Sequence, residues 1–261
     1  MSKAELFDTA AADYAKYRPD YPGELYAAIQ RYKPLHSGSC ALEVGIGGGQ
    51  ATGPIIAAGC RVTAIECGAE LAGICAEKYK GSDNFSVMAA RFEDAPLSEG
   101  GYDIVYSASA FHWIPEEAGY RKAYRVLKSG GAFARFANRP YPGGADAALS
   151  GEIEEVYAEY YYPFHRKQPS QPEPFTEERA AELAQTAERY GFTDIKHEVF
   201  RRTLTYTAAD YIGLLGTYSD HIAIEEGIRR RFFAAIEQII EAHGGTIAVD
   251  YTTDLELARK P

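Results

Sequence analysis

The amino-acid sequence predicts an α/β fold in which a mostly parallel sheet carries helices on both faces. Short β-like runs alternate with helical segments over roughly the first 140 residues. Such alternation is typical of parallel sheets, because neighbouring parallel strands need a crossover connection. The chain has 261 residues, 46% of them hydrophobic, which is enough for one large α/β domain or two small ones.

Five strands are predicted before residue 140. The first is an apolar run that ends at a series of glycines, and the fifth follows a turn predicted at 129–131. Residues 70–79 between the second and third strands have helical spacing. The five runs are 40–44, 61–66, 85–89, 102–107 and 132–136. We expect residues 1–140 to form a ligand-binding core with an N-terminal lid.

The composition changes after the fifth strand. Gly143 and Gly144 mark a turn, an acidic and tyrosine-rich helix is predicted over about 147–162, and a polar loop follows. The loop contains Pro163, Pro169, Pro172 and Pro174. Because such a segment is not a core strand, we predict a helical cap insertion over 141–190. The alternative is a surface excursion without a role.

The segment 141–190 ends in a predicted helix over 176–190, with Thr176 as its N-cap. The remaining residues, 191–261, are predicted to complete the same sheet, beginning with a strand from about residue 191 to about residue 206. Helices follow at about 208–218 and 225–243, the second ended by Gly244 and Gly245. A last strand over 246–259 brings the predicted sheet to seven strands.

Charge and composition exclude several classes of partner. The net charge is −10 and the pI about 5.2, so the basic surface of a nucleic-acid binder is missing. The cluster at 229–231 is interpreted as a solvated helix face. No run reaches the ~18 apolar residues of a membrane span, and the N-terminus lacks a signal-peptide core. Four cysteines without a Cys-x-x-Cys pair indicate reduced thiols, so a cytoplasmic protein is expected.

The glycines after the first strand predict a ligand-binding turn at 45–49, because a backbone without Cβ atoms can approach a ligand closely. A Walker-type phosphate loop is excluded, since Pro54 and Ile55 stand where Lys-Ser/Thr is required. A dinucleotide motif is weakened by Gln50, which occupies the place of the last glycine.

A third ligand, S-adenosylmethionine, carries a sulfonium, an ammonium and a carboxylate but no phosphate. Glu43 at the end of the first strand suits these positive charges, whereas it would be badly placed beside a pyrophosphate. Glu66 ends the second strand, where a carboxylate accepts ribose hydroxyls in either nucleoside cofactor. Glu93 or Asp94 would accept the adenine amine, with the Phe92 backbone reading a ring nitrogen. A solvated loop is the alternative for Glu93 and Asp94.

These residues also carry a family resemblance. Leu-Glu-Val-Gly-x-Gly-x-Gly-Gln at 42–50 is followed by Ile-Glu, Glu-Asp-Ala-Pro-Leu and Tyr-Asp-Ile-Val-x-x-x-x-Ala-Phe-His-Trp. In this order they resemble class I S-adenosylmethionine-dependent methyltransferases, and within them the type 11, trans-aconitate methyltransferase-like small-molecule branch. The segment 7–22 is similar to the start of that branch. The resemblance covers roughly 7–138 and implies a Rossmann-like fold, S-adenosylmethionine as donor, S-adenosylhomocysteine as product and no metal.

The resemblance also implies roles for individual residues. Three turn glycines would line the methionine half of the cofactor, Glu66 would hold the ribose, and Tyr14 and Arg18 would form a lid with Arg18 near the cofactor carboxylate. Ile46 and Gly48 depart from the family pattern, and Gly48 removes a hydroxyl that would bond the cofactor. The cofactor-binding residues expected are Tyr14, Arg18, Glu43, Gly45, Gly47, Gly49, Gln50, Glu66, Cys67, Phe92, Glu93, Ser107 and Phe111, the last two beside the sulfonium.

Methyl transfer from a sulfonium is an in-line displacement, which positioning and exclusion of water accelerate. A carboxylate acceptor needs no base, whereas a phenol, amine or carbon acid benefits from one. His112 after the fourth strand is the candidate base, with a structural histidine as the alternative. Trp113, Tyr218 and His221 are the candidate acceptor-binding residues. For 217–221 the alternative is a turn in which Ser219 or Asp220 caps a helix.

Two other functions stay open at this point: a nicotinamide-dependent oxidoreductase, and a protein that binds S-adenosylmethionine without transferring its methyl group. Within the methyltransferases, a base-flipping acceptor site is disfavoured because Ser107–Ala110 stands where an Asn/Asp-Pro-Pro-Tyr signature is expected. The expected partner is therefore a small-molecule acceptor, with the chain acting as a monomer or homodimer.

Overall fold

A computed structural model of the chain describes residues 10–142, 146–168 and 174–261. The predictions for residues 7–9, for Gly143 and Gly144, and for Pro169 and Pro172 lie outside these ranges. The described residues form two compact units. The glycine-turn unit lies within Pro19–Arg139, Phe175–Phe200 and Thr253–Pro261, and the tyrosine unit within Met1–Arg18, Pro140–Pro174 and Arg201–Thr252. The domain boundaries at 140 and 190 stay predictions.

The described residues contain a seven-stranded sheet with the order β3-β2-β1-β4-β5-β7-β6. Its strands are β1 Cys40–Val44, β2 Arg61–Glu66, β3 Phe85–Ala89, β4 Tyr102–Ala108, β5 Leu127–Pro142, β6 Thr193–Thr207 and β7 Thr246–Arg259. β1 is parallel to β2 and β4, β2 to β3, and β4 to β5. β7 runs antiparallel to β5, since Gly130 and Gly131 exchange backbone hydrogen bonds with Lys260 just beyond its end. The mostly parallel sheet is thereby confirmed, with an antiparallel end.

Helices follow the strands as the alternation predicts. The α-helices described are α1 Ala11–Tyr17, α2 Gly23–Tyr32, α3 Thr52–Ala57, α4 Ala69–Lys78, α5 Glu116–Val126, α6 Ala147–Val156, α7 Tyr162–His165, α8 Glu177–Gln185, α9 Ala208–Leu215, α10 Ser219–Ile222 and α11 Glu226–Ala242. Short 3₁₀ segments occur at Phe111–Trp113 and Thr186–Tyr190. Within the described ranges, no helix is both long and apolar enough to cross a bilayer.

Several local predictions are confirmed by the backbone. Thr176 caps α8, its Oγ1 accepting the N–H of Arg179. Gly244 and Gly245 end α11 with φ angles of 97° and 77°, in the left-handed region that glycine favours.

The sequence-based prediction that the fifth strand starts at residue 132 is wrong. β5 begins at Leu127, which pairs with Tyr102, and its register against β4 then shifts before Ala132 pairs with Ile104. The predicted turn at 129–131 is therefore a bulge inside the strand. Gly130 makes it with a φ of 71°, and the bulged backbone is satisfied by pairing with the end of the chain.

Apolar clusters cover both faces of the sheet in the glycine-turn unit. Consecutive residues of β1 show the alternation: Ala41 packs in the cluster that includes Leu25 and Ile29 of α2, and Leu42 packs in the one that includes Val126 of α5. Because successive strand side chains point to opposite faces, each strand contributes to both clusters. The expectation of helices on both faces is confirmed.

The tyrosine unit has its own core, formed by α6, α9, α11 and part of β7. The helix predicted over 147–162 is interrupted by a π-helical turn, Tyr157–Tyr161, after which the N–H of Tyr162 bonds the carbonyl of Tyr157. Tyr157 and Tyr161 both pack on Phe232 of α11, with ring centres 5.0 and 6.4 Å away. Such a turn holds one extra residue and is often found at functional sites.

Candidate functional site

The glycine turn lies where the strand order of the sheet reverses. β1 has β2 on one side and β4 on the other, so the loops after β1 and β4 leave in opposite directions. Open α/β sheets bind ligands in this crevice, beyond the carboxyl ends of the strands. The two loops touch: a Cβ at Gly45 would lie 2.4 Å from the Cβ of Ala110. Only glycine fits at this position.

The backbone of the turn requires glycine at alternate positions. Gly45, Gly47 and Gly49 have φ angles of 72°, 56° and 73°, in the left-handed region. Gly45 also donates its N–H to the carbonyl of Ile65 at 2.8 Å, which ties the turn to the end of β2. Gln50 follows half-buried, just before α3. The turn is thus a preformed cradle for a ligand that approaches the main chain.

Three side chains of the α4 region fix the carbonyls of this turn, and none of them was predicted from the sequence. The Cys75 thiol donates to the Gly47 carbonyl at 3.0 Å, and the Lys78 Nζ to the Gly48 carbonyl at 2.9 Å. The Tyr79 hydroxyl donates to the Gly49 carbonyl at 2.9 Å. With these carbonyls satisfied, the turn is held in one conformation.

Glu66 connects the end of β2 to the glycine turn. Its Oε2 accepts the N–H of Gly47 at 2.9 Å and its Oε1 the N–H of Gly68 at 3.0 Å. Oε2 keeps a further acceptor position, and the second position of Oε1 is taken by the Cys67 thiol at 3.5 Å, a weak donor that a ribose hydroxyl would displace. The Cys67 residue beside it is exposed as a whole, but its thiol is partly buried, and this burial together with the Glu66 charge raises the pKa of Cys67 to about 11. A neutral thiol is expected there.

Glu43 is fully buried at the end of β1. Its Oε2 accepts hydrogen bonds from Thr52 Oγ1 at 2.7 Å and Tyr106 Oη at 2.8 Å. Among the described residues, Oε1 has no hydrogen-bond partner. Burial raises the pKa of Glu43 to about 7, although the two hydrogen bonds oppose the rise. An unpartnered carboxylate oxygen fits a cationic group of a cofactor.

The raised pKa of Glu43 predicts a pH-dependent stability. Its native pKa of about 7 exceeds the ordinary value of 4.5, so its contribution is complete below pH 4.5 and is lost as the pH rises through 7. Between pH 5.5 and 8 we expect the wild-type free energy of unfolding to fall by about 2 kcal/mol more than that of Glu43→Gln. Urea denaturation of both proteins measures this difference, and parallel pH profiles would contradict it.

The turn after β3 is held from α5. Phe92 is buried, Glu93 half-buried and Asp94 exposed. The Nζ of Lys122 donates to the carbonyls of Glu93 at 2.9 Å and Ala95 at 2.6 Å, and burial lowers the pKa of Lys122. Lys122 therefore positions the backbone of the turn that is predicted to bind adenine, and no sequence pattern indicates this role.

Ser107 and Phe111 hold the loop after β4. Ser107 is fully buried, and its Oγ donates to the carbonyl of Val44 at 2.7 Å, which ties β4 to β1. The Phe111 ring is buried edge-on against Tyr120, with ring centres 5.1 Å apart. Both side chains thus build the loop itself, and their contact with a cofactor stays a prediction.

His112 and Trp113 lie next to each other on the 3₁₀ segment after β4. Both are exposed, Trp113 to 43%, and their ring centres are 4.6 Å apart. Exposed aromatic rings at the mouth of a ligand crevice suit contact with an acceptor. The roles of His112 as base and Trp113 as acceptor contact remain predictions.

Three other predicted residues meet in the tyrosine unit. The Arg18 guanidinium carbon lies 4.9 Å from the ring centre of Tyr14 and 4.2 Å from that of Tyr218. Arg18 also donates to the carbonyl of Thr217 at 2.8 Å, and its Nε has no hydrogen-bond partner within the described chain. The N-terminal helix is thereby fastened to α9 and α10 by stacking and a charged hydrogen bond.

The tyrosine unit contains a cavity of about 220 Å³, and both Tyr218 and His221 line it. The alternative, in which Ser219 or Asp220 caps a helix, is wrong. α10 begins without a side-chain cap, and Glu225 caps α11 by accepting two backbone N–H groups. The Asp220 carboxylate instead accepts hydrogen bonds from the backbone and ring of His221. The structure thus brings two of the three predicted acceptor residues, Tyr218 and His221, into one concave site, whose lining does not include Trp113.

Comparison with known proteins gives consistent results. Residues 42–134 match the family model described as a methyltransferase domain. An uncharacterised methyltransferase of Schizosaccharomyces pombe is 28% identical over 239 residues, which are 90% of this chain and 87% of that protein. The malonyl-[acyl-carrier protein] O-methyltransferase of Pectobacterium atrosepticum is 31% identical over 142 residues, about half of each protein: 52% of this chain and 53% of the other.

Solved structures share the fold. A proposed type II methyltransferase from Anaeromyxobacter dehalogenans has a TM-score of 0.62 at 21% identity, covering 93% of this chain and 98% of the other. Phosphoethanolamine N-methyltransferase 2 of Haemonchus contortus, solved with S-adenosyl-L-methionine, has a TM-score of 0.57 at 15% identity. That match covers 100% of this chain and 60% of the other. At these identities the likeness is one of fold.

Proposed function

We propose that this chain is a class I S-adenosylmethionine-dependent methyltransferase, as its methyltransferase domain match and its methyltransferase relatives support, and that it transfers the methyl group to a small-molecule acceptor. One observation carries the placement of the donor. Gly45 has a left-handed backbone and no Cβ, so the loops after β1 and β4 can touch at this residue. The main chain of the turn is therefore accessible to a ligand at the point where the strand order of the sheet reverses. A cofactor without phosphates suits this turn, because buried Glu43 stands directly before it.

The residues of the glycine-turn unit fit the cofactor part by part. The Gly45–Gly49 backbone would hold the methionine half, Glu66 the ribose hydroxyls, and the Phe92 and Glu93 turn the adenine. When bound, the cofactor supplies a methyl group already activated on a sulfonium. The chain's own contribution is to hold the reactants in line and to exclude water, which accounts for most of the acceleration in such displacements.

A small acceptor is favoured over a macromolecule by charge and by cavity size. The net charge of −10 disfavours a phosphate backbone. A cavity of about 220 Å³, lined by tyrosines and aliphatic side chains, has room for a small organic molecule and not for a folded segment of protein.

Calorimetric titration with S-adenosylmethionine and, in parallel, with NADH tests the donor. We expect a Kd of about 1 to 100 μM for S-adenosylmethionine and no binding of NADH. Gly47→Val is expected to abolish binding, since it places a β-branched side chain at a φ of 56°. Gly73→Val is the matched control, because a Cβ there meets nothing within 4 Å among the described residues. Binding of NADH in place of S-adenosylmethionine would overturn the assignment.

Methyl transfer itself is tested with labelled S-adenosylmethionine. Incubation with a pool of small metabolites is expected to form S-adenosylhomocysteine and one labelled small product. Label recovered in RNA or protein alone would contradict a small acceptor. Tight binding without any S-adenosylhomocysteine would indicate a binding protein that does not transfer.

A further inference from the structure

Four side chains form a continuous hydrogen-bonded chain beside the cavity of the tyrosine unit. The Tyr157 hydroxyl lies 2.9 Å from His221 Nε2, and His221 Nδ1 lies 2.9 Å from Asp220 Oδ1. The other carboxylate oxygen, Oδ2, accepts the Tyr161 hydroxyl at 2.6 Å. Tyr157, Asp220 and His221 all line the cavity, and His221 is only 6% exposed.

The hydrogen bonds determine where the protons lie. Burial alone would raise the pKa of Asp220, but the hydrogen bonds that its carboxylate accepts from His221 and from the Tyr161 hydroxyl hold that pKa below its ordinary range. An ionised carboxylate only accepts hydrogen bonds, so Nδ1 of His221 carries a proton. In the neutral imidazole Nε2 is then an acceptor, and the Tyr157 hydroxyl donates to it. The free acceptor position of Tyr157 Oη remains for a ligand.

The cavity lining indicates the chemistry of its ligand. Leu214, Leu215 and Val249 supply an apolar wall, and Asp220 is the ionised group of the lining. Arg18 stacks on Tyr218 and bonds Thr217, but it does not line the cavity. Among the described residues that line the cavity there is no Lys or Arg, so a carboxylate ligand would meet the like charge of Asp220.

The volume indicates the size of the ligand. A cavity of ~150 Å³ is known to hold a benzene molecule. The cavity here is about 220 Å³, so a single ring with one or two small substituents fits. Burying such a ring against aliphatic side chains and tyrosine rings is favourable, and the Tyr157–His221 pair supplies the polar contact that orients it.

We propose that this cavity binds a neutral, phenol-like acceptor, whose hydroxyl proton is removed by Tyr157 backed by His221 and Asp220. The inference rests on the proposed methyltransferase function and names its acceptor class.

The proton transfer balances as a relay. The acceptor O–H passes its proton to Tyr157 Oη while the Tyr157 proton moves to His221 Nε2. The electron pair of the broken O–H bond stays on the acceptor oxygen, which becomes the nucleophile. The imidazolium that forms is stabilised by the Asp220 carboxylate, and its proton later returns to water. Burial and the neighbouring Tyr211, Tyr218 and Asp220 raise the pKa of Tyr157 well above its ordinary value, so Tyr157 passes the proton on and does not remain ionised.

Binding of three probes of similar shape tests the inference: 4-methylphenol, toluene and benzoate. With the full-length protein, we expect 4-methylphenol to bind about 3- to 10-fold more tightly than toluene, the effect of one hydrogen bond, and benzoate to bind most weakly. Tyr157→Phe is expected to abolish the preference for 4-methylphenol over toluene. Tyr160→Phe, on the same π-helical turn but outside the cavity lining, is the matched control and should retain it.

A second measurement follows His221 directly. ¹⁵N NMR of the imidazole is expected to show the Nδ1–H tautomer, with a Nε2 shift that responds to 4-methylphenol in the wild type and not in Tyr157→Phe. Equal wild-type affinity for 4-methylphenol and toluene would overturn the inference, as would an unchanged preference in folded Tyr157→Phe. Titration of the same samples with S-adenosylmethionine separates the two proposals. Its failure to bind the wild type would overturn the proposed function, and normal binding without phenol selectivity would overturn the acceptor class alone.

Discussion

Replacing Glu66 by alanine is expected to weaken S-adenosylmethionine binding at least ~100-fold. The carboxylate is proposed to accept both ribose hydroxyls, and a hydrogen bond to a charged group contributes about 1.5–3 kcal/mol. The substitution also leaves the N–H groups of Gly47 and Gly68 without their acceptor, so the turn loses its connection to β2. Titration calorimetry of the wild type and Glu66→Ala measures the loss of affinity.

Glu70→Ala is the matched control for this substitution. Glu70 lies four residues further along, exposed in the first turn of α4, and its removal should leave the affinity within about twofold of the wild type. Thermal unfolding of both variants separates a loss of binding from a loss of folding. Wild-type affinity in folded Glu66→Ala would show that Glu66 does not hold the cofactor.

Gly45→Ala is expected to destabilise the protein by ~2–5 kcal/mol. The φ of 72° costs an alanine about 1–2 kcal/mol, and overpacking against another side chain adds ~1–3 kcal/mol. The overpacking is severe because the new Cβ would lie 2.4 Å from that of Ala110. Urea denaturation gives the change in free energy of unfolding.

Two glycine controls separate the causes of that loss. Gly100 has a φ of 61° and open space around its Cβ position among the described residues, so Gly100→Ala should cost only the conformational ~1–2 kcal/mol. Gly73 lies inside α4 with the same open space, and Gly73→Ala should be neutral or stabilising. If Gly45→Ala costs no more than Gly100→Ala, the contact between the two loops is not tight.

The sequence predicts β1, β2 and β3 to the residue because each is a short apolar run between charged or glycine-rich neighbours. β5 is the counterexample. Gly130 looks like a turn in any sequence pattern, and it is a bulge because the end of the chain pairs with it from more than a hundred residues away. The π-helical turn after α6 could not be predicted from the sequence either, because it depends on how Tyr157 and Tyr161 pack against Phe232 of α11.

In the candidate cofactor site, too, the residues with a local sequence signal could be predicted and those placed by distant contacts could not. Glycines and carboxylates at the ends of strands are local signals, so the turn at 45–49 and Glu66 could be predicted. Lys78 and Lys122 could not, because a lysine on a helix usually extends into solvent, and each of these bonds a carbonyl 27 to 30 residues away. The helix cap that the sequence offered as an alternative role for Ser219 or Asp220 is wrong for a similar reason: the partners of the Asp220 carboxylate, Tyr161 and His221, are set by packing in the tyrosine unit.

The π-helical turn makes the chemistry of the cavity depend on chain length as well as on side chains. Because the π-helical turn absorbs one extra residue, deleting the exposed Ala158 would restore ordinary α-helical hydrogen bonding and leave α7 near its present phase relative to α6. Tyr157 and Tyr161 would then lie three residues apart instead of four, which changes the direction of their hydroxyls relative to Asp220 and His221 on α10. A homologue that lacks this one residue is therefore expected to have a different acceptor, even with every tyrosine and histidine retained. A single-codon deletion is a short evolutionary route from one substrate to another.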